Sequence, residues 1–216
     1  MNLFKELINP ADVVIEVGGH IGFIAVYFAT LAKKGRVIVF EPGSNNLPYL
    51  RSNTKNYPNL QIVESAVGDV SGEIEFYLED ITGQNNSVLA NYSTFKANAK
   101  SAFSTYSYTK CVVPMVALNK FCGQNGVVPQ FIKIDVEGFE NNVLLGMSEL
   151  LEKIQPICMV EVTEQREQIF NCLVAAGYRL FTPKRKEIKS QIPPFCNVFA
   201  LHQDKHAATI SRVFIS

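Results

Sequence analysis

A doubly wound α/β fold, a mostly parallel sheet with helices on both faces, is what this sequence predicts, and three observations predict it. Short, β-branched apolar runs alternate with segments of helical periodicity. The strand-like runs are apolar throughout rather than at every second residue, as strands covered on both faces must be. Several of them end in a glycine or a carboxylate, where open α/β sheets bind ligands.

The elements follow in order. Val13 to Val17 is the first strand and ends at Gly18-Gly19. From Ile21, apolar residues recur at Ile24, Ala25, Phe28, Leu31 and Ala32, a helix that Gly35 stops. Arg36 to Phe40 is the second strand, ending at Glu41-Pro42. Asn45 to Asn56 is a helix with Leu47 and Leu50 on its apolar face, and Leu60 to Val67 is the third strand. Glu73 to Leu78 alternates like a half-exposed strand. Asp80 to Lys110 is polar and rich in Ser, Asn and Thr, a long loop of the kind that is functional or disordered. It reads either as a mobile surface insertion or as a substrate-side lid, with Asn86 and Tyr92 as candidate acceptor contacts. Phe131 to Val136 resumes the alternation, followed by a helix from Phe139 to about Lys153 with Val143, Leu144, Met147, Leu150 and Leu151 on one face. Pro156 to Val162 is the fifth core strand, and Gln165 to Ala176 a helix closed by Gly177. Tyr178 to Thr182 and Asn197 to His202 are the last strands. No repeat or linker divides the 216 residues, so one domain is expected.

Composition narrows the function. Twenty basic and twenty acidic side chains cancel, which argues against a chain built to grip nucleic acid or an anionic membrane. No apolar run reaches the roughly 20 residues that a membrane span needs. The start, M-N-L-F-K-E-L-I-N-P, lacks the features of a secretion signal. Five scattered cysteines, Cys111, Cys122, Cys158, Cys172 and Cys196, form no C-x-x-C pair and suit a reducing, cytoplasmic setting.

Four segments carry chemistry. Glu16 to Gly22 reads E-V-G-G-H-I-G at a strand-to-helix turn, where Gly18, Gly19 and Gly22 let backbone approach a ligand and the helix start offers free N–H groups. The spacing is not G-x-G-x-x-G, which disfavours a nicotinamide-dependent oxidoreductase. The acidic Glu16 suits a ligand with a cationic end, as S-adenosylmethionine has; a purely structural glycine turn is the alternative. Glu41 lies 23 residues beyond Gly18 on the next strand end, near the offset of a ribose-binding carboxylate, or it caps the following helix. Ala66 to Asp69 (A-V-G-D) either borders an adenine or is an ordinary turn. In Phe131 to Gly138, Asp135 and Glu137 share a face if the strand runs through both, and Glu161 ends the neighbouring strand; Lys133 would pair with one of them.

Taken together, these segments resemble the FkbM-type S-adenosylmethionine-dependent methyltransferases over roughly Asp12 to Leu201. The K-I-D-V-E-G of Lys133 to Gly138 is the most specific piece, with P-x-x-x-x-E at Pro156 to Glu161, G-Y-R-L-F at Gly177 to Phe181 and N-V-F at Asn197 to Phe199. The resemblance implies a class I methyltransferase fold, a seven-stranded sheet with an antiparallel last strand. It also implies O-methylation of a hydroxyl on a sugar, glycan or natural product. Where the family usually reads D-V-G-A-N-x-G, this chain has Glu16, Gly19 and His20. Only Asn2 to Asn9 precedes the first strand, so the active-site cover that related enzymes take from N-terminal helices must come from Asp80 to Lys110, from the partner in a homodimer, or be missing. The methyl acceptor needs a base or a metal: Asp135 is the first candidate, Glu137 the second and Glu161 the third, with His20 as an alternative. Mg²⁺ held by Asp135 and Glu161 is weighed and not favoured, so no metal site is assigned. Lys184, Arg185, Lys186 and Lys189 read as a solvated turn or as a receptor for an acidic substrate. A non-catalytic cofactor-binding scaffold is the remaining alternative, and the absence of N/D-P-P-Y/F disfavours a nucleic-acid methyltransferase.

Overall fold

A computed structural model describes residues 2–79, 82–83, 86–89 and 108–215. Tyr92 and most of 80–110 lie outside the described residues. The main sheet is built from β1 (Val13–Val17), β2 (Arg36–Phe40), β3 (Leu60–Val63), β7 (Phe131–Ile134), β8 (Ile157–Val162), β9 (Tyr178–Phe181), β10 (Glu187–Ile188) and β11 (Cys196–His202). Their order is β10-β9-β11-β8-β7-β1-β2-β3. β3, β2, β1, β7 and β8 pair in parallel, and β11 inserts antiparallel between β8 and β9. The seven expected strands are therefore present with the last one reversed, and the two-residue β10 is an addition at the edge.

Alternate residues of each strand enter opposite cores, which is why the runs are apolar throughout. Ile15, Ile38, Ile132 and Val160 face α4 (Leu118–Asn125), α5 (Glu140–Leu145) and α6 (Arg166–Ala175). Val14, Val39, Phe131 and Phe199 face α1 (Asn2–Leu7), α2 (Phe23–Leu31), α3 (Leu47–Thr54) and α7 (Ala207–Phe214). On that second face the Phe4 ring of α1 meets Phe28, Phe131 and Phe199 edge-on or tilted, with centroids 5.1–5.9 Å apart.

Three expectations need correcting. Leu60 to Val67 is not one strand: it breaks at Glu64-Ser65, and β4 (Ala66–Val67) joins a second sheet, β4-β6-β5, with β5 (Gly72–Glu79) and β6 (Tyr108–Val116). The central β6 contains Pro114, a residue that normally argues against a central strand; it is accommodated opposite Glu73 while its carbonyl accepts from Ser65 Oγ. Residues 108–110, expected in the loop, thus belong to β6. The helix expected from Phe139 to Lys153 is interrupted after α5 and resumes as a π-helical turn, Leu150–Ile154. The break falls at Gly146, where a Cβ would lie 1.9 Å from the Gly68 carbonyl oxygen and where the Gly146 carbonyl accepts from Asn119 N.

Candidate active site

The carboxyl ends of β1, β2, β7 and β8 open on a cavity of about 310 Å³, within the size range of small-molecule sites. Gly18 shapes its floor. Its φ is +88°, its N–H and that of Gly19 both donate to the Phe40 carbonyl at 3.0 Å, and a Cβ would sit 1.8 Å from the Asp135 carbonyl oxygen. Only glycine permits this contact between the β1 and β7 ends. Gly18→Ala should cost about 3 kcal/mol through clash and left-handed strain, read as a fall of about 10 °C in Tm.

Glu41, at the end of β2, is buried against the cavity. Its Oε2 accepts from His20 N at 2.7 Å, and its Oε1 from Gly43 N at 2.8 Å and from Asn46 Nδ2 at 3.3 Å. Burial pushes its carboxyl up to about 7 despite the Gly43, His20 and Asn46 donors. It does not cap α3: that helix has no side-chain cap. His20 also lines the cavity, with φ +47°; its Nε2 lies 3.2 Å from the Thr82 carbonyl, which can only accept, so Nε2 carries a proton.

On the other wall stand Asp135, Glu137 and Glu161. Asp135 and Glu137 do not share a strand face: β7 ends at Ile134, and Glu137 and Gly138 turn through φ +53° and +95°. The turn is held from below by Glu140, whose Oε1 accepts from Gly138 N at 3.0 Å; burial raises its carboxyl to about 7. The turn nonetheless brings both carboxylates to the cavity, and with Glu161 they offer three oxygens within 4.8 Å of one another. Such a trio can hold a divalent cation with waters completing the shell. The positive charge already there is Lys133, whose Nζ is 2.9 Å from Asp135 Oδ2 and 3.3 Å from Glu16 Oε1. Burial works to lower the Lys133 pKa, but the Glu16 and Asp135 carboxylates raise it above its usual value. Burial likewise works to raise Asp135, but Lys133 and a hydrogen bond shared with Glu161 hold it below the ordinary aspartate value. That shared bond, then burial and the Asp135 charge, push Glu161 well above the ordinary range. The shared bond thus favours the charged form at Asp135 and the protonated form at Glu161.

The other expected residues fall around this centre. Glu16 is buried beneath the cavity, raised to about 7 chiefly by desolvation, with Oε2 lacking a hydrogen-bond partner among the described residues. Gly19 packs against Val39, Glu41 and Leu50, and Gly22 begins α2 with φ +86°. Ala66 lines the cavity, whereas Asp69 is exposed and is not among the lining residues. Asn86 lines it too, with its carboxamide engaged: Oδ1 accepts from Glu79 N and Nδ2 donates to Asn45 Oδ1, both at 2.8 Å. Sequence reasoning missed Asn46, which ties Glu41 to the Gly83 carbonyl, and the Phe76 and Phe139 rings that form the apolar wall. Asn46 stood five residues past Glu41, a readable cue; Phe76 and Phe139 were read only as strand and helix core. Arg185 of the basic cluster pairs with Glu6 and the Val213 carbonyl, away from the cavity.

A five-strand parallel core, a reversed β11 and carboxylates at the ends of β2, β7 and β8 define a Rossmann-like class I methyltransferase fold. The chain belongs to the FkbM methyltransferase domain family, which it matches over residues 16–187. It is 26% identical over 150 residues to the 2-O-methyltransferase NoeI of Sinorhizobium fredii, covering 67% of this chain and 61% of that protein. It is 28% identical over 159 residues to the hexuronic acid methyltransferase AglP of Haloferax volcanii, covering 71% and 57%. The chain thus spans about three fifths of the length of each of these curated relatives. A solved FkbM methyltransferase from Methylobacillus flagellatus shares the fold with a TM-score of 0.57 at 12% identity, over 91% of this chain and 47% of that one.

Proposed function

We propose that the protein is an S-adenosylmethionine-dependent O-methyltransferase acting on a hydroxyl of a sugar, glycan or natural-product acceptor. The observation that carries this reading is the facing of two different carboxylate sites across one cavity: Glu41 on one wall, and the Asp135–Glu161 pair with Lys133 on the other. Glu41 suits a ribose, because its oxygens, set by backbone N–H groups, can still accept from vicinal hydroxyls. The Gly18 turn gives the backbone close approach, Ala66, Phe76 and Phe139 offer an apolar bed for an adenine, and Glu16 Oε2, beneath the site, has no partner among the described residues. When bound, S-adenosylmethionine supplies a methyl group on a sulfonium, a leaving group that needs no further activation. Asp135 then takes the proton of the acceptor hydroxyl as its oxygen is methylated, and Lys133 keeps Asp135 ionised for that task. No metal is required in this scheme. Gly83, Asn86 and Val88, the described part of the segment expected to cover the acceptor, line the cavity. All five cysteines are unpaired, which supports action in the reducing cytoplasm; among the described residues no helix is long and apolar enough to cross a membrane.

Calorimetric titration with S-adenosylhomocysteine, beside NAD⁺ as control, tests the reading. Saturable binding of the first and none of the second is expected; NAD⁺ binding alone would sink it. The ionised Glu41 is the form that accepts from both ribose hydroxyls, so binding should release a proton and tighten as pH rises through about 7. A carboxyl with that pKa is about one-tenth ionised one unit below it, so affinity should be about tenfold weaker at pH 6 than at pH 8. A flat profile would remove Glu41 from the site.

A further inference from the structure

The start of β11 lies beside the reacting carboxylates and has no part in the scheme above. In the antiparallel β8–β11 ladder Asn197 is directly opposite Glu161. The two side chains therefore stand on one face of the sheet, with Cβ atoms about 5 Å apart. That is also the face of Glu16 and Lys133, since each lies two residues along its strand from an apolar residue of the second core. The Asn197 side chain is half-buried and its carboxamide has no hydrogen-bond partner among the described residues. Phe195, two residues earlier, is 73% exposed and has φ +49°. A bulky aromatic residue is rarely left in that backbone region, and here the chain just before it is anchored: Ile192 is fully buried and its carbonyl accepts from Arg166 Nη1 at 3.0 Å. The bare ring is thus held on a fixed segment at the strand end next to Glu161 rather than carried on a free tail.

We propose that Phe195 and Asn197 form the acceptor subsite and that its occupant is an uncharged pyranose ring. The inference rests on the methyltransferase reading. The C–H face of a pyranose is apolar and carries slight positive charge, so it lies flat on an aromatic ring, whose face is negative. A carboxamide offers one acceptor and two donors, which match vicinal hydroxyls that are themselves donor and acceptor. Charge decides against an anionic sugar: the Asp135 and Glu137 carboxylates stand at the cavity beside Glu161, and the one cation next to them among the described residues, Lys133, is already held by Glu16 and Asp135. No Lys or Arg lines the cavity among the described residues. A carboxylate brought there would meet like charge without compensation.

The chain contains no tryptophan, so Phe195→Trp keeps an aromatic face and introduces a single fluorophore at the subsite. With S-adenosylhomocysteine bound, titration with methyl α-glucopyranoside and other neutral methyl hexosides should shift the emission saturably. Adding Asn197→Ala should weaken that titration about tenfold, the effect of one lost hydrogen-bonding group, and glucuronate should give no shift. Emission that stays flat in a protein that still binds S-adenosylhomocysteine overturns the subsite alone. Failure to bind S-adenosylhomocysteine overturns the methyltransferase reading, and the subsite with it. An Asn197→Ala titration equal to the parent's, or glucuronate binding as well as the neutral sugars, also overturns the proposal.

Discussion

Asp135→Asn is expected to lower kcat about 10³-fold, within the range for loss of a positioned general base, with S-adenosylhomocysteine affinity unchanged within about threefold. The substitution keeps the size and an acceptor oxygen for Lys133 Nζ, now 2.9 Å away, so the β7 turn should hold. What it removes is the negative charge that receives the hydroxyl proton. Because that interaction exists only as the methyl group moves, kcat and kcat/KM should fall together. Glu161→Gln gives the contrast. A glutamine can still donate to Asp135 as the protonated Glu161 does, so a loss of only about tenfold is expected, of the order of one neutral hydrogen bond. If Asp135→Asn keeps kcat within threefold, the base lies elsewhere, and His20, across the cavity at the β1 turn, becomes its candidate.

How much of this was legible beforehand depended on whether a feature is topological or conformational. Glu41 and Glu161 could be placed because each ends an apolar run, and in a parallel sheet the ends of such runs converge on the ligand crevice whatever the loops do. Asp135 and Glu137 were expected to share a face if the strand ran through both, and it ends at Ile134. They meet in the cavity because Glu137 and Gly138 adopt left-handed backbone over the buried Glu140, a conformation that alternation cannot reveal. Asp69 shows the opposite case. Its loop was read as bordering a ligand, but β4 leaves the third strand to pair with β6, and Gly68 is drawn against Gly146, leaving Ala66 at the cavity and Asp69 exposed. The pairing with a proline-bearing β6 across more than forty residues has no local signature. Lys133 was visible as a counter-ion, but that it serves Glu16 and Asp135 together emerged only from the β1–β7 register, which sets Glu16 beside Lys133.

Glu41→Ala should abolish measurable cofactor binding, weakening S-adenosylhomocysteine by at least about a hundredfold. Two hydrogen bonds from ribose hydroxyls to a carboxylate are each worth about 1.5–3 kcal/mol, and together they would account for that factor or more. The wild-type carboxylate also sets the ends of two loops, because His20 N and Gly43 N both converge on it and Asn46 links it to Gly83. Truncation therefore frees the His20 turn and the Gly83 segment as well. Stability should move the other way with pH. The folded Glu41 holds its proton up to about 7, whereas an unfolded glutamate releases it near 4.5, so between those values folding takes up a proton. The native protein is then destabilised as pH rises through the window, and the whole cost is present above about 7. Glu41→Ala removes that contribution. Its melting temperature should therefore decline less than the wild type's between pH 5 and pH 8 when both are ligand-free, while only the wild type gains stability from added S-adenosylhomocysteine at pH 8. A variant that still melts higher with S-adenosylhomocysteine would show that the ribose is held elsewhere, and the assignment of the β2 end would have to be given up.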